Sequence, residues 1–387
     1  MTSLCRESDR RRYWQRTSLP RNCTALPRSA FTIIELLVIV SVIGLLFALL
    51  LPALQAARES TRKSTCQSNL HQIGQAMSQF DQARGRFPSG GEGTDFTQNP
   101  PTTVFEVAST FALIMPYLND ESFITQPVHL AYAYNDSACP ANQVSARAPI
   151  AALLCPSNAT RLPDPNGYGQ TDYMPTVYTD IDPQTGARNL NARKAGALRL
   201  GGTLSAKITD GLSRTIAIAE DAGRSYETMF PNTQSADPDP VFSAGTAPVW
   251  NGTAQITYKQ WLTAHNLACG GLAAGDAATP SGHRVLNRWA EPASAGGISG
   301  QPNYAAANKV FAINGNRTPW GGPPGCSWSQ TNCGPNEEIW SWHTGGANVL
   351  FCDGSVRTIG QEISPVVLRM LVTADEQEIF DDKQVPN

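Results

Sequence analysis

The sequence has 387 residues, enough for one large domain or two ordinary ones with a buried core. Only 16% of the residues are charged, against about 25% in an average soluble protein, and 32 Gly and 28 Pro favour turns and strands. The net charge of −3 is uneven, because residues 1–30 carry seven Arg and two acidic residues. The remainder is acidic, which argues against a nucleic-acid partner.

Residues 1–30 are predicted to be a basic leader that precedes a membrane span. Leu36 to Leu54 are 19 residues without a charge, close to the roughly 20 that cross a bilayer. Basic residues before a span remain in the cytoplasm, so we expect a single-pass inner-membrane protein whose C-terminal domain is periplasmic or extracellular. A secretory signal has its small-residue cleavage site after the apolar core, whereas here the small residue, Ala30, comes before it.

The stretch AFTIIELL, Ala30 to Leu37, resembles the cleavage and methylation motif of bacterial type IV prepilins and type II secretion pseudopilins. The resemblance implies that a prepilin peptidase cuts between Ala30 and Phe31 and that Phe31 is then N-methylated. It also implies that Glu35 meets the new amino terminus of an adjacent subunit and sets the registry of an assembly. The alternative is an ordinary signal anchor in which Glu35 reaches the lipid headgroups, since a lone carboxylate in lipid is costly.

Residues 31–84 are predicted to form one long pilin-like helix whose first half is transmembrane and which Pro52 is able to kink. An apolar stripe with alternating spacings of four and three follows the span. It predicts packing against the chain's own sheet, with a coiled-coil seam as the alternative. The stripe consists of Cys66, Leu70, Ile73, Met77 and Phe80.

The rest of the chain is predicted to be strands and loops, with residues 85–222 as the first part of an extracytoplasmic sheet domain and 223–340 as a β-rich insertion. We expect a short helix in Phe111–Asp120, a strand that ends before Pro156, and another over Thr215–Ala219. The predicted fold class is therefore α+β: a long N-terminal helix packed on an antiparallel sheet domain with that insertion.

Residues 341–387 are predicted to form a hairpin and a final helix. Asp353-Gly354 is a two-residue turn signal between two strand-like runs, and Ser364 is expected to cap a helix that opens with Pro365. A second resemblance rests on His343, Asp353 and Gly354, together with the stretches LLCPS and ITDGLSRT and the prepilin motif. With these features the chain is similar to a bacterial family of prepilin-like proteins of unknown function that end in a His-x9-Asp-Gly motif. That resemblance implies a pilin-like helix on an extracytoplasmic domain.

No metal or cofactor is predicted. His343 is interpreted as a polar strand entry and Asp353 as a turn residue, with metal or ligand binding and catalysis as alternatives. Calcium stays an option because some pseudopilins bind it, although the acidic pairs lack a calcium-loop pattern. Those pairs are Asp180 with Asp182, Asp237 with Asp239 and Asp381 with Asp382.

Nine cysteines are consistent with an oxidising compartment. Cys5 and Cys23 leave with the leader and Cys66 lies on the helix stripe, so six remain, which permits three disulfides among 15 connectivities. Cys326 with Cys333 is the first candidate pair, and buried thiols are the alternative. The six are Cys139, Cys155, Cys269, Cys326, Cys333 and Cys352.

The predicted function is non-enzymatic, as the prepilin resemblance implies, and the sequence has none of the nucleotide-binding, hydrolase or metalloprotease motifs. We expect a subunit or minor component of a type IV pilus or type II secretion pseudopilus, whose partners are the inner membrane, prepilin peptidase and other pilin-like subunits. One alternative is a membrane-tethered module that binds polysaccharide or protein, to which seven tryptophans between Trp250 and Trp342 would contribute if they are not core residues. A membrane-anchored hydrolase is the other.

Overall fold

The structure is a computed structural model that describes residues 32–118, 128–136, 139–158, 161–164, 166–222, 248–265, 287–300, 312–314, 338–378 and 384–385. Its contacts divide the chain into two units, Met1–Gln55 and Ala56–Asn387. The predicted leader, the cleavage site at Ala30 and Phe31, and the candidate pair Cys326 and Cys333 lie outside the described residues.

Five α-helices and ten strands are described, and short 3-10 turns connect several of them. The helices are α1 (Ile33–Arg84), α2 (Thr110–Ile114), α3 (Pro140–Ala146), α4 (Tyr258–Ala264) and α5 (Pro365–Val372). The strands are β1 (Glu92–Asp95), β2 (Thr102–Phe105), β3 (Tyr173–Thr179), β4 (Lys194–Ala195), β5 (Ile216–Glu220), β6 (Pro248–Trp250), β7 (Gln255–Thr257), β8 (Gly296–Ile298), β9 (Gly346–Phe351) and β10 (Val356–Gly360).

The first part of α1, which belongs to the first unit, has the length and composition of a membrane-crossing helix. Its large apolar side chains from Ile33 to Leu54 are exposed. The helix continues through Pro52.

The second unit is built on a sheet with the strand order β10-β9-β5-β3-β4. Those neighbours pair antiparallel, whereas β8 pairs parallel with the second half of β3. Two further antiparallel pairs, β1 with β2 and β6 with β7, complete the described strands. The predicted α+β class is confirmed.

Each face of the main sheet carries its own hydrophobic cluster, because successive side chains of a strand point to opposite faces. Leu350 of β9 belongs to the cluster that contains the predicted stripe of α1 apart from Cys66, while its neighbours Val349 and Phe351 pack with α5. All five stripe residues are buried. The α1 stripe therefore packs against the chain's own sheet, as predicted, and the coiled-coil seam is not needed to bury it.

Several local predictions are confirmed, and one is wrong. The short helix forms as α2, the strand after Thr215 forms as β5, and the final helix opens at Pro365. The strand expected before Pro156 is instead a 3-10 turn, Ala151–Leu153, followed by irregular backbone. The segment is apolar because it is buried, and a short apolar run does not distinguish a strand from a buried turn.

The predicted insertion, residues 223–340, is described only in parts. Residues 248–265 hold the β6–β7 pair and α4, where Thr257 and Gln260 form a capping box. Trp261 is partly buried there, and Trp289 is fully buried in the main core. Strand β8 adds to the main sheet, so this region supplies part of the sheet domain's own core.

Candidate functional site

A buried polar cluster lies where the second half of α1 meets the sheet. It brings together Glu59 and Cys66 of α1, Cys155 after the 3-10 turn, Glu220 at the end of β5 and His343 just before β9. Glu59 and Cys66 are seven residues apart, or two helical turns, which puts both on the same face of α1. All five residues belong to the second unit.

His343 is the centre of this cluster, and only 3% of it is exposed. Its Nδ1 is 2.7 Å from Oε1 of Glu59, its Nε2 is 3.4 Å from Oε1 of Glu220 and 3.8 Å from Sγ of Cys155. Burial lowers the pKa of His343, but hydrogen bonds and charges from Glu220 and Glu59 outweigh it and raise the pKa.

Glu220 is fully buried, and β9 holds its carboxylate in place. The backbone N–H of Asn348 donates to Oε2 at 2.7 Å, and the Asn348 side-chain amide donates to Oε1 at 2.9 Å. The carbonyl oxygen of the same amide accepts from Gln67 of α1 at 3.2 Å. The carboxylate is therefore positioned by hydrogen bonds on one side and by His343 on the other.

A disulfide between Cys66 and Cys155 joins α1 to the segment that follows the 3-10 turn, with a Cα–Cα distance of 5.4 Å. Both cysteines are fully buried. The neighbouring residues repeat the connection: the hydroxyl of Ser157 donates to Oε1 of Glu59 at 2.9 Å, and the amide of Asn69 donates to the carbonyl of Leu154 at 3.0 Å. This segment thus follows α1 over three turns.

The backbone around Cys155 is fixed by Asp172, just before β3. Its carboxylate accepts from the Cys155 N–H at 2.6 Å and from the Asn158 amide at 2.7 Å, and it pairs with Arg161. Burial raises the pKa of Asp172, although the charge of Arg161 and these hydrogen bonds act to lower it. Arg161 also donates to the Cys155 carbonyl at 2.7 Å. Both the N–H and the carbonyl of Cys155 are therefore fixed by hydrogen bonds.

His343 and Asp353, the two ends of the predicted motif, do not meet. They flank β9, whose six residues span about 20 Å. Asp353 is exposed in the turn and accepts from the N–H of Ser355 at 2.9 Å. Gly354 has a φ of +85°, a left-handed conformation that favours glycine, and the loop is longer than the two residues predicted, since β9 ends at Phe351 and β10 begins at Val356.

Glu35 lies at the start of α1 and contacts Thr32 of its own chain. The N–H and the hydroxyl of Thr32 both donate to Oε2 of Glu35 at 2.8 Å, and the N–H of Glu35 donates to the Thr32 hydroxyl at 3.3 Å. This reciprocal pair is a capping box. The T-x-x-E spacing of Thr32 and Glu35, which predicts such a box, is present in the sequence.

The acidic pair Asp180 and Asp182 is occupied by protein partners. Asp180 pairs with Arg188 at 3.1 Å. Asp182 accepts from the Asn189 amide and from the backbone N–H groups of Thr185 and Gln184, and these bonds, that of Asn189 foremost, lower its pKa to about 2. The other two pairs, Asp237 with Asp239 and Asp381 with Asp382, lie outside the described residues.

Sequence reasoning missed Glu59, Glu220 and the role of Cys66 as the partner of Cys155. Cys66 lies on the stripe, as predicted, and also pairs with Cys155, so the count of three disulfides among the six cysteines that excludes Cys66 is wrong. Cys352, also one of the six, is buried and forms no disulfide with any described residue, and burial raises the pKa of its thiol.

Comparison with known proteins gives one match. The model of a family described as "Protein of unknown function (DUF1559)" matches residues 55–365, a range that contains the entire buried cluster. No curated protein matches the chain, and no solved structure matches it.

Proposed function

The chain belongs to the DUF1559 family of proteins of unknown function, and we propose that it acts as a non-enzymatic, prepilin-like membrane protein. In this proposal prepilin peptidase cleaves between Ala30 and Phe31, and the mature chain is a subunit or minor component of a type IV pilus or type II secretion pseudopilus. The inner membrane holds the apolar part of α1, and the sheet domain is extracytoplasmic.

The observation that carries the proposal is the division of α1 into two environments. From Ile33 to Leu54 its apolar side chains are exposed, whereas from Cys66 to Phe80 its apolar face is buried in a folded domain. A cleaved secretory signal has no reason to continue as a core helix of the mature domain. A helix that is both a span and a scaffold for a sheet supports retention of the apolar segment after processing.

The disulfide supports the extracytoplasmic location, because disulfides persist in oxidising compartments. It joins α1 to the sheet domain within the second unit. Removal of α1 would therefore remove half of a covalent cross-link and the apolar stripe with it.

Mass spectrometry of the mature N-terminus, with and without a co-expressed prepilin peptidase, tests the processing step. We expect a chain that begins with N-methylated Phe31 only when the peptidase is present. An unprocessed N-terminus in its presence, or a cut beyond Leu51, would overturn the proposal.

A pair of variants tests the role of Glu35 in assembly and separates it from helix capping. Glu35→Gln removes the charge but keeps a side chain that caps a helix from the same position, whereas Thr32→Ala removes the capping hydroxyl and keeps the charge. We expect sedimentable filaments in cells with the assembly machinery to be lost with Glu35→Gln and retained with Thr32→Ala. The reverse pattern would assign Glu35 to its own helix and contradict the registry role.

A further inference from the structure

Four buried side chains at the contact of α1 with the sheet present one ligand atom each to a common point. We propose that Cys66, Cys155, Glu220 and His343 form a binding site for a zinc-type divalent cation, which is closed while the two cysteines are joined and open when they are thiols. Their two Sγ atoms, a carboxylate oxygen and an imidazole nitrogen all lie within 4.8 Å of one another. The proposal goes beyond the proposed function and does not depend on it.

The distances fit a tetrahedral ion. Typical zinc bond lengths give tetrahedral edges of about 3.4 Å between nitrogen and oxygen ligands and about 3.6 Å between nitrogen and sulfur ligands. The corresponding separations are 3.4 Å from His343 Nε2 to Glu220 Oε1 and 3.8 Å from His343 Nε2 to Cys155 Sγ. The two sulfur atoms must separate to about 3.8 Å once their bond is absent, and the remaining ligand pairs lie within 4.8 Å.

The outer contacts are those of a metal-binding histidine. Glu59 lies 2.7 Å from Nδ1 of His343, which places the Nδ1 proton on that side and directs Nε2 toward the sulfur atoms; carboxylate–histidine pairs of this kind orient zinc ligands. Asn348 fixes the carboxylate of Glu220 by two hydrogen bonds. His343 and Glu220 are thus already oriented as metal ligands before an ion binds.

The donor set selects the class of ion. Two thiolates with an imidazole and a carboxylate suit zinc, whereas magnesium and calcium take oxygen ligands. All four residues are buried, so no position is open to bulk water, which is the pattern of a structural site.

The redox state of Cys66 and Cys155 decides whether a disulfide or a metal ion joins them. When the domain folds with cysteine thiols, a disulfide-donating oxidant accepts two electrons and two protons from Cys66 and Cys155, and the S–S bond forms. If zinc arrives first, the two thiols and Nε2 of His343 release their protons to solvent, and the thiolates, the imidazole and the carboxylate bind the ion without any change in oxidation state. Either outcome cross-links α1 to the segment after the 3-10 turn, whereas the thiol form without metal leaves the two joined by hydrogen bonds alone.

Cobalt provides the test, because tetrahedral thiolate-bound Co²⁺ has visible d–d bands and a sulfur-to-metal charge-transfer band. The full chain is purified in detergent micelles, anaerobically and with a phosphine reductant, from cells that lack disulfide-forming enzymes, and thiol labelling confirms the reduced state. We expect one equivalent of Co²⁺ to produce both features and Zn²⁺ to displace it. The same chain purified in the oxidised state is expected to show neither feature.

Matched variants identify the ligands. His343→Gln is expected to abolish the spectrum, and His71→Gln, at an exposed position of α1, to leave it unchanged. Cys352→Ser, a buried cysteine outside the cluster, is the thiol control. Glu59→Gln, at a half-buried position, is expected to weaken Co²⁺ binding about 10- to 100-fold while the ligands remain. Circular dichroism of each oxidised variant establishes that it folds before reduction.

Two results would overturn the proposal. One is a reduced wild-type chain that gives no charge-transfer band at stoichiometric Co²⁺. The other is a band that survives in folded His343→Gln protein or disappears in Cys352→Ser. If His343→Gln does not fold, Glu59→Gln decides, because unchanged affinity in that variant contradicts the role of His343 as an oriented ligand.

Discussion

Loss of the Cys66–Cys155 cross-link should destabilise the sheet domain more than loss of any other buried cysteine that the structure describes. The double variant Cys66→Ala with Cys155→Ala removes the bond without placing a new polar group in the core. The bond joins residues 89 positions apart, so it constrains a large part of the unfolded chain. Chain-entropy arguments give about 4.6 kcal/mol for a loop of this size at 25 °C.

The assay is denaturant unfolding of the full chain in detergent micelles with a metal chelator present, followed by circular dichroism and tryptophan fluorescence. Trp289 is fully buried in the core that contains the α1 stripe, so its emission reports on that core. Cys352→Ala is the matched control, because it shortens a buried cysteine without breaking a disulfide and should cost about 1 kcal/mol.

Reductant separates the cross-link from side-chain packing. Wild-type protein treated with a reductant should lose nearly the stability that the double variant loses, and the double variant should not respond to reductant. If the double variant unfolds at the same denaturant concentration as Cys352→Ala, or responds to reductant as strongly as the wild type, the reasoning from loop closure is wrong.

Four more substitutions, at three places, test other parts of the sheet domain. Gly297→Ala would place a Cβ 1.9 Å from the ring of Tyr178, so we expect a loss of about 2–3 kcal/mol in the same unfolding assay. Arg288→Met removes the cation from the fully buried Asp164 and should cost about 3–5 kcal/mol, part of which Asp164→Asn should restore. Burial raises the pKa of Glu106. The folded state therefore binds a proton more tightly than the unfolded state, and this contribution to the free energy of unfolding is fully present at low pH and is lost as pH rises through the folded-state pKa. Glu106→Gln should therefore gain stability relative to wild type from pH 4 to pH 8, and a constant difference would contradict this sign.

The parts of the fold that sequence predicted depend on short-range signals. The stripe from Cys66 to Phe80 repeats with the period of a helix, and Asp353-Gly354 is a turn signal between two strand-like runs. Pro365 after Ser364 marked the last helix, although the Ser364 side chain makes no capping hydrogen bond. Each of these signals lies within about 15 residues of sequence, which is the range over which periodicity operates.

The parts that sequence did not predict depend on contacts between distant positions. Glu59 and His343 are 284 residues apart, and Cys66 and Cys155 are 89 apart. No local pattern marks either pair, since Glu59 resembles a solvent-exposed helix residue and His343 a polar loop residue. Strand β8 was missed for the same reason: Gly296–Ile298 has no alternation, and its pairing with β3 is settled by the sheet around it.

The polar cluster also explains how α1 keeps one position on the sheet. An apolar stripe contributes most of the burial, but burial is not directional, so a shift of α1 along its axis by one turn would bury a similar surface. The disulfide, the Glu59–His343 pair and the Gln67–Asn348 hydrogen bond permit one register only.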